Sequence, residues 1–198
     1  MGALDDAPHV QAEDRATWRS WLEANHATAP GAWLVTWRPG RGRPVLDYEA
    51  AVEEAICFGW VDNRPGRVDD DRARLYFAPR KPRSAWSASN KARVERLLAA
   101  GRMASAGIAA VERGKANGMW ELLDAVERGE VPGDLARALA VHPPAAENFA
   151  AFPRSVRRAI LEWIAAARRP ETRSARVEET ASRAAARNER ANQWRPKA

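Results

Sequence analysis

The stretch Phe77-Ala-Pro-Arg-Lys-Pro-Arg-Ser-Ala-Trp-Ser-Ala-Ser-Asn-Lys91 predicts a strand end, a rigid cationic loop and a helix start, in that order. The strand ends in Leu75-Tyr76-Phe77, which is short, apolar and aromatic. Pro79 and Pro82 fix their own φ and push the preceding residues toward extended geometry. The loop between them is therefore expected to be stiff.

This loop and the helix after it supply the candidate site. Three cations stand beside a helix start, and a helix N-terminus itself attracts anions. The sequence therefore predicts a site for a small anionic ligand, whose candidate binding residues are Asp62, Arg80, Lys81, Arg83, Trp86, Ser87 and Asn90.

Each candidate residue also has a structural interpretation. Ser87 and Asn90 suit the cap of the following helix. Trp86 suits the core, although its ring could also stack on a base or sugar. Asp62 shares a strand face with Trp60, and a half-buried carboxylate needs a partner, for which Arg80 or Arg83 is the nearest choice.

The net charge of +6 is unevenly distributed. Residues 80–102 contain 7 Lys+Arg and 1 Asp+Glu, and residues 151–198 contain 12 and 5. The two other segments, 1–79 and 103–150, are both net acidic. Two basic segments are compatible with an acidic partner, and nucleic acid is the alternative to a small anion.

Composition also indicates the compartment. Cys57 is the single cysteine, so no internal disulfide can form, and the N-terminus lacks the basic and apolar regions of a secretory signal. No stretch reaches the ~18 apolar residues of a membrane span. The three histidines have no metal-ligand spacing. These features predict a cytoplasmic protein without a metal or another cofactor.

Periodicity and breaker residues predict an α+β protein. After a disordered lead-in over 1–10, strands are expected at 32–37, 60–62 and 74–78. Helices are expected at 13–25, 48–58, 88–100 and 105–117, and then near 120, after 132, at 145–151, from 153 and from 171 to about 190. The predicted organisation is a small α/β subdomain over 1–85, with a sheet and two helices, packed on a helical subdomain over 86–198 with one shared core.

Several sequence blocks resemble one family. They are Glu54-Ala-Ile-Cys-Phe-Gly-Trp-Val-Asp62, Phe77-Ala-Pro-Arg80 with Arg83-Ser-Ala-Trp-Ser87 and Asn90-Lys-Ala-Arg-Val-Glu-Arg-Leu97, Gly101-Arg-Met-Ala-Ser-Ala-Gly107, and Trp163-Ile-Ala-Ala-Ala-Arg-Arg-Pro-Glu-Thr-Arg173. The chain resembles the YdeI/OmpD-associated, or bacteriocin-protection, family over about residues 13–180. It departs from the family pattern at Asn63, where a glycine is usual, and at Arg168, where a lysine is usual.

The resemblance implies a role in envelope stress or bacteriocin tolerance and implies no particular reaction. Together with the cationic loop, it predicts a cytoplasmic binding or stress-protection protein for a small anionic ligand. A nucleic-acid-binding protein is one alternative. The other is a cofactor-free enzyme, in which Asp62 activates water or a hydroxyl beside Arg80 or Arg83.

Overall fold

A computed structural model describes residues 6–186 of the chain. These residues form a four-stranded sheet near the N-terminus and nine helices, which confirms the predicted α+β class. The strands are β1 (His9–Gln11), β2 (Ala32–Trp37), β3 (Trp60–Arg67) and β4 (Arg72–Pro79). The helices are α1 (Arg15–Asn25), α2 (Tyr48–Cys57), α3 (Ala88–Ala99), α4 (Ser105–Ala116), α5 (Asp124–Glu127), α6 (Gly133–Val141), α7 (Ala145–Ala151), α8 (Arg154–Ala165) and α9 (Pro170–Ala185). Among the described residues, no helix is long and apolar enough to cross a membrane.

The chain divides into two compact units, unit 1 (Met1–Trp120) and unit 2 (Glu121–Ala198). The boundary lies further along the chain than residue 85, where the sequence predicted it. α3 and α4 belong to unit 1 because both pack against α2.

The sheet of unit 1 has the order β1-β2-β4-β3, with β1 parallel to β2 and the other pairs antiparallel. The predicted disorder over 1–10 is wrong for His9 and Val10, because β1 pairs with β2 from His9 opposite Trp33 to Gln11 opposite Val35. Residues 1–5 of that predicted segment lie outside the described residues.

Tryptophans form much of the core of unit 1. Trp18 stacks on Trp21 at 5.4 Å between ring centroids, and Trp21 meets Trp60 edge-on at 5.8 Å. The buried indoles of Trp18 and Trp60 donate to the carbonyls of Ala51 and His26 at 3.1 and 3.2 Å. The rings therefore hold α1 against both α2 and the sheet without leaving these N–H groups unsatisfied.

Helix starts follow the sequence signals. Asp14 and Asp47 accept from the amides of Thr17 and Ala50 at 2.7 and 2.8 Å, which makes them the N-caps of α1 and α2. In unit 2 the helix predicted near Trp120 is only the four residues of α5, after a run of turns.

Unit 2 packs its helices around α9, which contacts α6, α7 and α8. The buried face of α9 consists of Val177, Thr180, Ala181 and Ala184. Arg173 on α9 donates to both carboxylate oxygens of Asp134 on α6, at 2.6 and 3.1 Å. The predicted end of this helix near residue 190 lies outside the described residues.

The close contact between α4 and α2 predicts that a larger side chain at position 107 would destabilise unit 1. A Cβ on Gly107 would lie 2.2 Å from the carbonyl oxygen of Cys57, which is backbone and cannot rotate away. We expect Gly107→Ala to lower the free energy of unfolding of unit 1 by about 1–3 kcal/mol. The measurement is urea denaturation followed by tryptophan fluorescence, since unit 1 holds seven of the nine tryptophans.

The matched control is Gly133→Ala at the first residue of α6. There the nearest atom to a new Cβ is the flexible guanidinium of Arg137 at 3.5 Å. If Gly107→Ala is as stable as this control, the close packing of α4 on α2 is not a constraint.

Candidate functional site

The centre of the cationic loop is the buried side chain of Arg80, which is only 6% exposed. Its guanidinium carbon lies 3.8 Å from the ring centroid of Trp86. One terminal nitrogen donates to the carbonyl of Ala85 at 2.9 Å and to that of Ser84 at 3.5 Å. Arg80 therefore folds the loop back onto Trp86 by a cation–π contact and by hydrogen bonds to main-chain carbonyls.

The backbone of this loop is fixed at both ends. The amide of Arg80 donates to the carbonyl of Gly59 at 2.9 Å, and the amide of Trp86 donates to the carbonyl of Met119 at 3.1 Å. Between them, the carbonyl of Pro82 accepts from the side-chain amide of Asn117 at 2.6 Å. The predicted stiffness thus has a tertiary cause in addition to the two prolines.

The two remaining cations of the loop point to solvent. Lys81 and Arg83 are exposed, and neither of their side chains has a hydrogen bond or ion pair with any described residue. They stand just before α3, whose N-cap is Ser87, since its hydroxyl accepts from the amide of Asn90 at 3.3 Å. The side chain of Asn90 is itself engaged, because it accepts from Arg93 at 2.8 Å.

Trp86 is a core residue. Its ring is 1% exposed and lies between Arg80 and Trp120, whose ring centroid is 5.1 Å away. Stacking of Trp86 on a base or sugar would require this packing to open. Its contribution to the loop is to hold Arg80.

Burial lowers the pKa of Arg80 to about 10, while the negative charge of Asp62 acts weakly in the opposite direction. Arg80 therefore remains protonated at neutral pH. Its Nε is buried without a hydrogen-bond partner in the described part of the chain.

The predicted ion pair between Asp62 and Arg80 or Arg83 is wrong. Asp62 accepts a hydrogen bond from the hydroxyl of Tyr48 at 2.9 Å and forms no ion pair among residues 6–186. The reason is directional, since Trp86 draws the Arg80 side chain away, whereas Tyr48 at the start of α2 faces the same side of the sheet. Partial burial and then the Asp62 carboxylate raise the pKa of Tyr48.

Asp62 and Tyr48 line a cavity of about 350 Å³ on this face of the sheet. Most of its remaining lining is apolar, including Leu34, Leu46 and Leu75. Because the Tyr48 proton is already bonded to Asp62, the pair forms a satisfied hydrogen bond and is not arranged to activate water. Asp62 thus bonds to Tyr48 and to none of the six other predicted site residues, of which Arg80 contacts Trp86 and Ser87 bonds to Asn90.

The most buried charge of the described residues, Glu54, was not among the residues predicted from the sequence. Glu54 on α2 is 0% exposed, and its carboxylate pairs with Arg19 at 2.8 Å, Arg15 at 3.3 Å and Arg102. Arg19 also donates to the carbonyl of Arg102 at 3.2 Å. The available signal was the helical period, which places Glu54 on the apolar face of Ala51 and Ala55.

Cys57 lies one turn further along α2 and is fully buried. Burial and then the charge of Glu54 raise the pKa of the Cys57 thiol, while Arg19 and Arg102 act in the opposite direction. A raised pKa and a buried sulfur are properties of a structural cysteine. Among residues 6–186, no group of three His, Cys, Asp or Glu side chains is placed to hold a metal ion.

Two family models match the chain, one within unit 1 and the other within unit 2. Residues 10–110 match a domain of unknown function (DUF8412), which is slightly more than half of the chain, so the chain belongs to that family. Residues 129–187 match the family described as bacteriocin-protection, YdeI or OmpD-associated, which confirms the family resemblance found in the sequence. The blocks around Asp62 and the cationic loop lie in the first of these two regions. No curated protein and no solved structure gives a match.

Glu54 is expected to control the stability of unit 1. In Glu54→Gln three guanidinium groups lose their shared counter-charge, so we expect the free energy of unfolding to fall by about 3 kcal/mol or more. The measurement is urea denaturation followed by tryptophan fluorescence. Glu130→Gln is the control, because Glu130 pairs with Arg128 in solvent. This variant should lower the free energy of unfolding of unit 2 far less. Equal stability of Glu54→Gln and the parent would contradict a structural role for the buried carboxylate.

Replacing Arg80 by lysine is expected to destabilise the loop. Arg80→Lys retains the charge and loses the planar group that stacks on Trp86 and reaches the loop carbonyls, at an expected cost of about 1–2 kcal/mol. Hydrogen exchange should also accelerate at the amide of Trp86. Arg83→Lys, on an exposed side chain of the same loop, is the control and should stay within about 0.5 kcal/mol of the parent. Indistinguishable variants would show that Arg80 does not anchor the loop.

Proposed function

We propose that the protein is a cytoplasmic, non-catalytic binding protein for a small anionic ligand and acts in stress protection. The ligand would bind at the cationic loop, defined as residues 80–83, and at the start of α3. The observation that carries this proposal is the pair of exposed, unpartnered cations, Lys81 and Arg83, on a loop fixed by tertiary hydrogen bonds. The name of the family matched by residues 129–187 supports a protective role.

The fixed backbone favours binding in physical terms. A ligand that meets a mobile loop must order it, and this ordering reduces the affinity. Here Arg80 and the bonds to Gly59, Met119 and Asn117 already order the loop. Only the side chains of Lys81 and Arg83 remain to be ordered by the ligand.

The helix start adds donors beside these cations. The first amides of a helix have no intrahelical acceptor, and in α3 the cap at Ser87 satisfies only the amide of Asn90. The cap therefore leaves the amides of Ala88 and Ser89 without an acceptor among the described residues, and Arg83 precedes Ala88 by five residues in the chain. This combination suits a compact anion such as phosphate or a carboxylate.

The role of Asp62 differs from the one predicted from the sequence. Asp62 affects Arg80 only through space and bonds to Tyr48, so we do not place it in the anion site. The same bond argues against a cofactor-free enzyme with Asp62 as general base. Nucleic acid is the remaining alternative, for which a steep salt dependence would be diagnostic.

The proposal predicts a stabilising anion and a specific loss on substitution. Thermal-shift screening would compare inorganic phosphate, pyrophosphate, ATP and citrate with sodium chloride at matched ionic strength, because ligands of the native state raise its midpoint. For the best of these, we expect the double variant Lys81→Gln, Arg83→Gln to weaken binding at least tenfold, since hydrogen bonds to charged groups contribute about 1.5–3 kcal/mol each.

The matched control is Arg38→Gln with Arg113→Gln, which removes two exposed unit 1 charges outside the loop. This control should change the affinity less than about twofold. Equal losses in both double variants would reduce the effect to net charge and refute a defined site. Tight binding of a ~20-nucleotide strand with a steep salt slope, and no response to the small anions, would favour the nucleic-acid function.

A further inference from the structure

Unit 2 contains a cavity of about 450 Å³ between α5, α6, α7 and α8. Pockets for small ligands commonly have volumes of about 300–1,000 Å³. All of its lining residues lie in unit 2, so the cavity is independent of the cationic loop.

The lining is largely apolar. Four buried side chains, one from each helix, contribute to it: Val126, Leu139, Phe149 and Leu161. Exposed alanines of α6 and α7 and Val131, which is 42% exposed, complete the apolar lining. The exposed alanines and Val131 offer apolar surface to a ligand, and the four buried side chains contribute the rest of the apolar lining.

The charged residues of the lining are mostly arginines. Glu127 is the one acidic residue in the lining, and it accepts from Arg158 at 2.9 and 3.2 Å. Arg128 pairs with Glu130. Arg154 and Arg157 form no ion pair with any described residue, so they leave two positive charges uncompensated.

The position of Arg154 and Arg157 adds to this charge. They lie in the first turn of the twelve-residue helix α8, where no side chain caps the free amides. The helix dipole and the two guanidinium groups therefore favour an anion at the same edge of the apolar cavity. A lysine-rich or neutral ligand has no negative charge to complement these two arginines.

We infer that this cavity binds a single-chain amphiphilic anion. Its apolar body lies against Val126, Leu139, Phe149 and Leu161, and its carboxylate or phosphate head contacts Arg154 and Arg157. The inference goes beyond the proposed function, because it concerns a second site with its own residues and a different ligand class. A small molecule fits better than a peptide, since the cavity offers apolar side chains and guanidinium groups but no strand edge for a peptide backbone.

Isothermal titration calorimetry of the full chain tests the inference. The probes are octanoate and octyl phosphate, with octanol as the headless comparison and acetate and inorganic phosphate as the tailless ones. We expect one of the two amphiphilic anions to bind at least tenfold more tightly than octanol and than its own tailless ion. Whichever of octanoate and octyl phosphate binds more tightly identifies the preferred head group. Equal binding of octanol, or of the tailless ions, overturns the inference.

Two variants localise the site. Arg154→Gln with Arg157→Gln should weaken the bound amphiphile at least tenfold, and Ala146→Phe, which fills the cavity from α7, should do the same. Arg137→Gln with Arg168→Gln removes two exposed charges of unit 2 outside the lining and should change the affinity less than twofold. Circular dichroism would confirm that each variant is folded at the titration temperature.

The outcome is separable from that of the proposed function. The variant Lys81→Gln, Arg83→Gln should bind the amphiphile as the parent does. Full affinity in both cavity variants would place the amphiphile elsewhere and overturn the inference, whether or not the cationic loop binds its anion.

Discussion

The arrangement of unit 1 depends on the wholly buried carboxylate of Glu54. A buried charge is costly unless it is paired, and its partners Arg15, Arg19 and Arg102 come from α1 and from the connection between α3 and α4. The charge therefore joins segments that are far apart in sequence. Arg15 reaches the neighbouring Glu53 as well, and Arg96 of α3 contacts both Glu53 and Glu49. One face of α2 thus gathers α1 and α3, and the cationic loop lies between β4 and α3.

Most arginines of α1 and α3 serve this packing, and this changes how the basic character of the chain is interpreted. Arg93 and Arg96 lie in the basic segment 80–102, yet both pair with Glu49 and are not available to a polyanion. Net charge alone therefore overstates the positively charged surface that is available to nucleic acid. The informative cations are those without a partner in the described chain, on a backbone that other contacts fix.

The sequence was sufficient for most elements because their signals are local. Periodicity, capping and breaker residues gave β2 and α7 with their observed bounds and the cap at Ser87. β1 was missed because three residues carry no usable period and their pairing with β2 is tertiary. The direction of Arg80 could not be predicted either, since it depends on the burial of Trp86, and the partner of Asp62 depends on where α2 begins.

Structural cations and candidate binding cations can be distinguished by the property that their substitution would reduce, which is folding stability for the first and ligand affinity for the second. Arg19 and Arg80 are committed to buried partners, so their removal would first cost stability. Lys81 and Arg83, or Arg154 and Arg157, contribute no ion pair to the described fold, and each pair shares a short segment at a helix start. Other exposed cations, such as Arg113, also form no ion pair with a described residue, but Arg113 lies within α4 and not on the fixed loop. The conjunction of free charge and fixed surroundings is therefore better evidence for a binding site than charge alone.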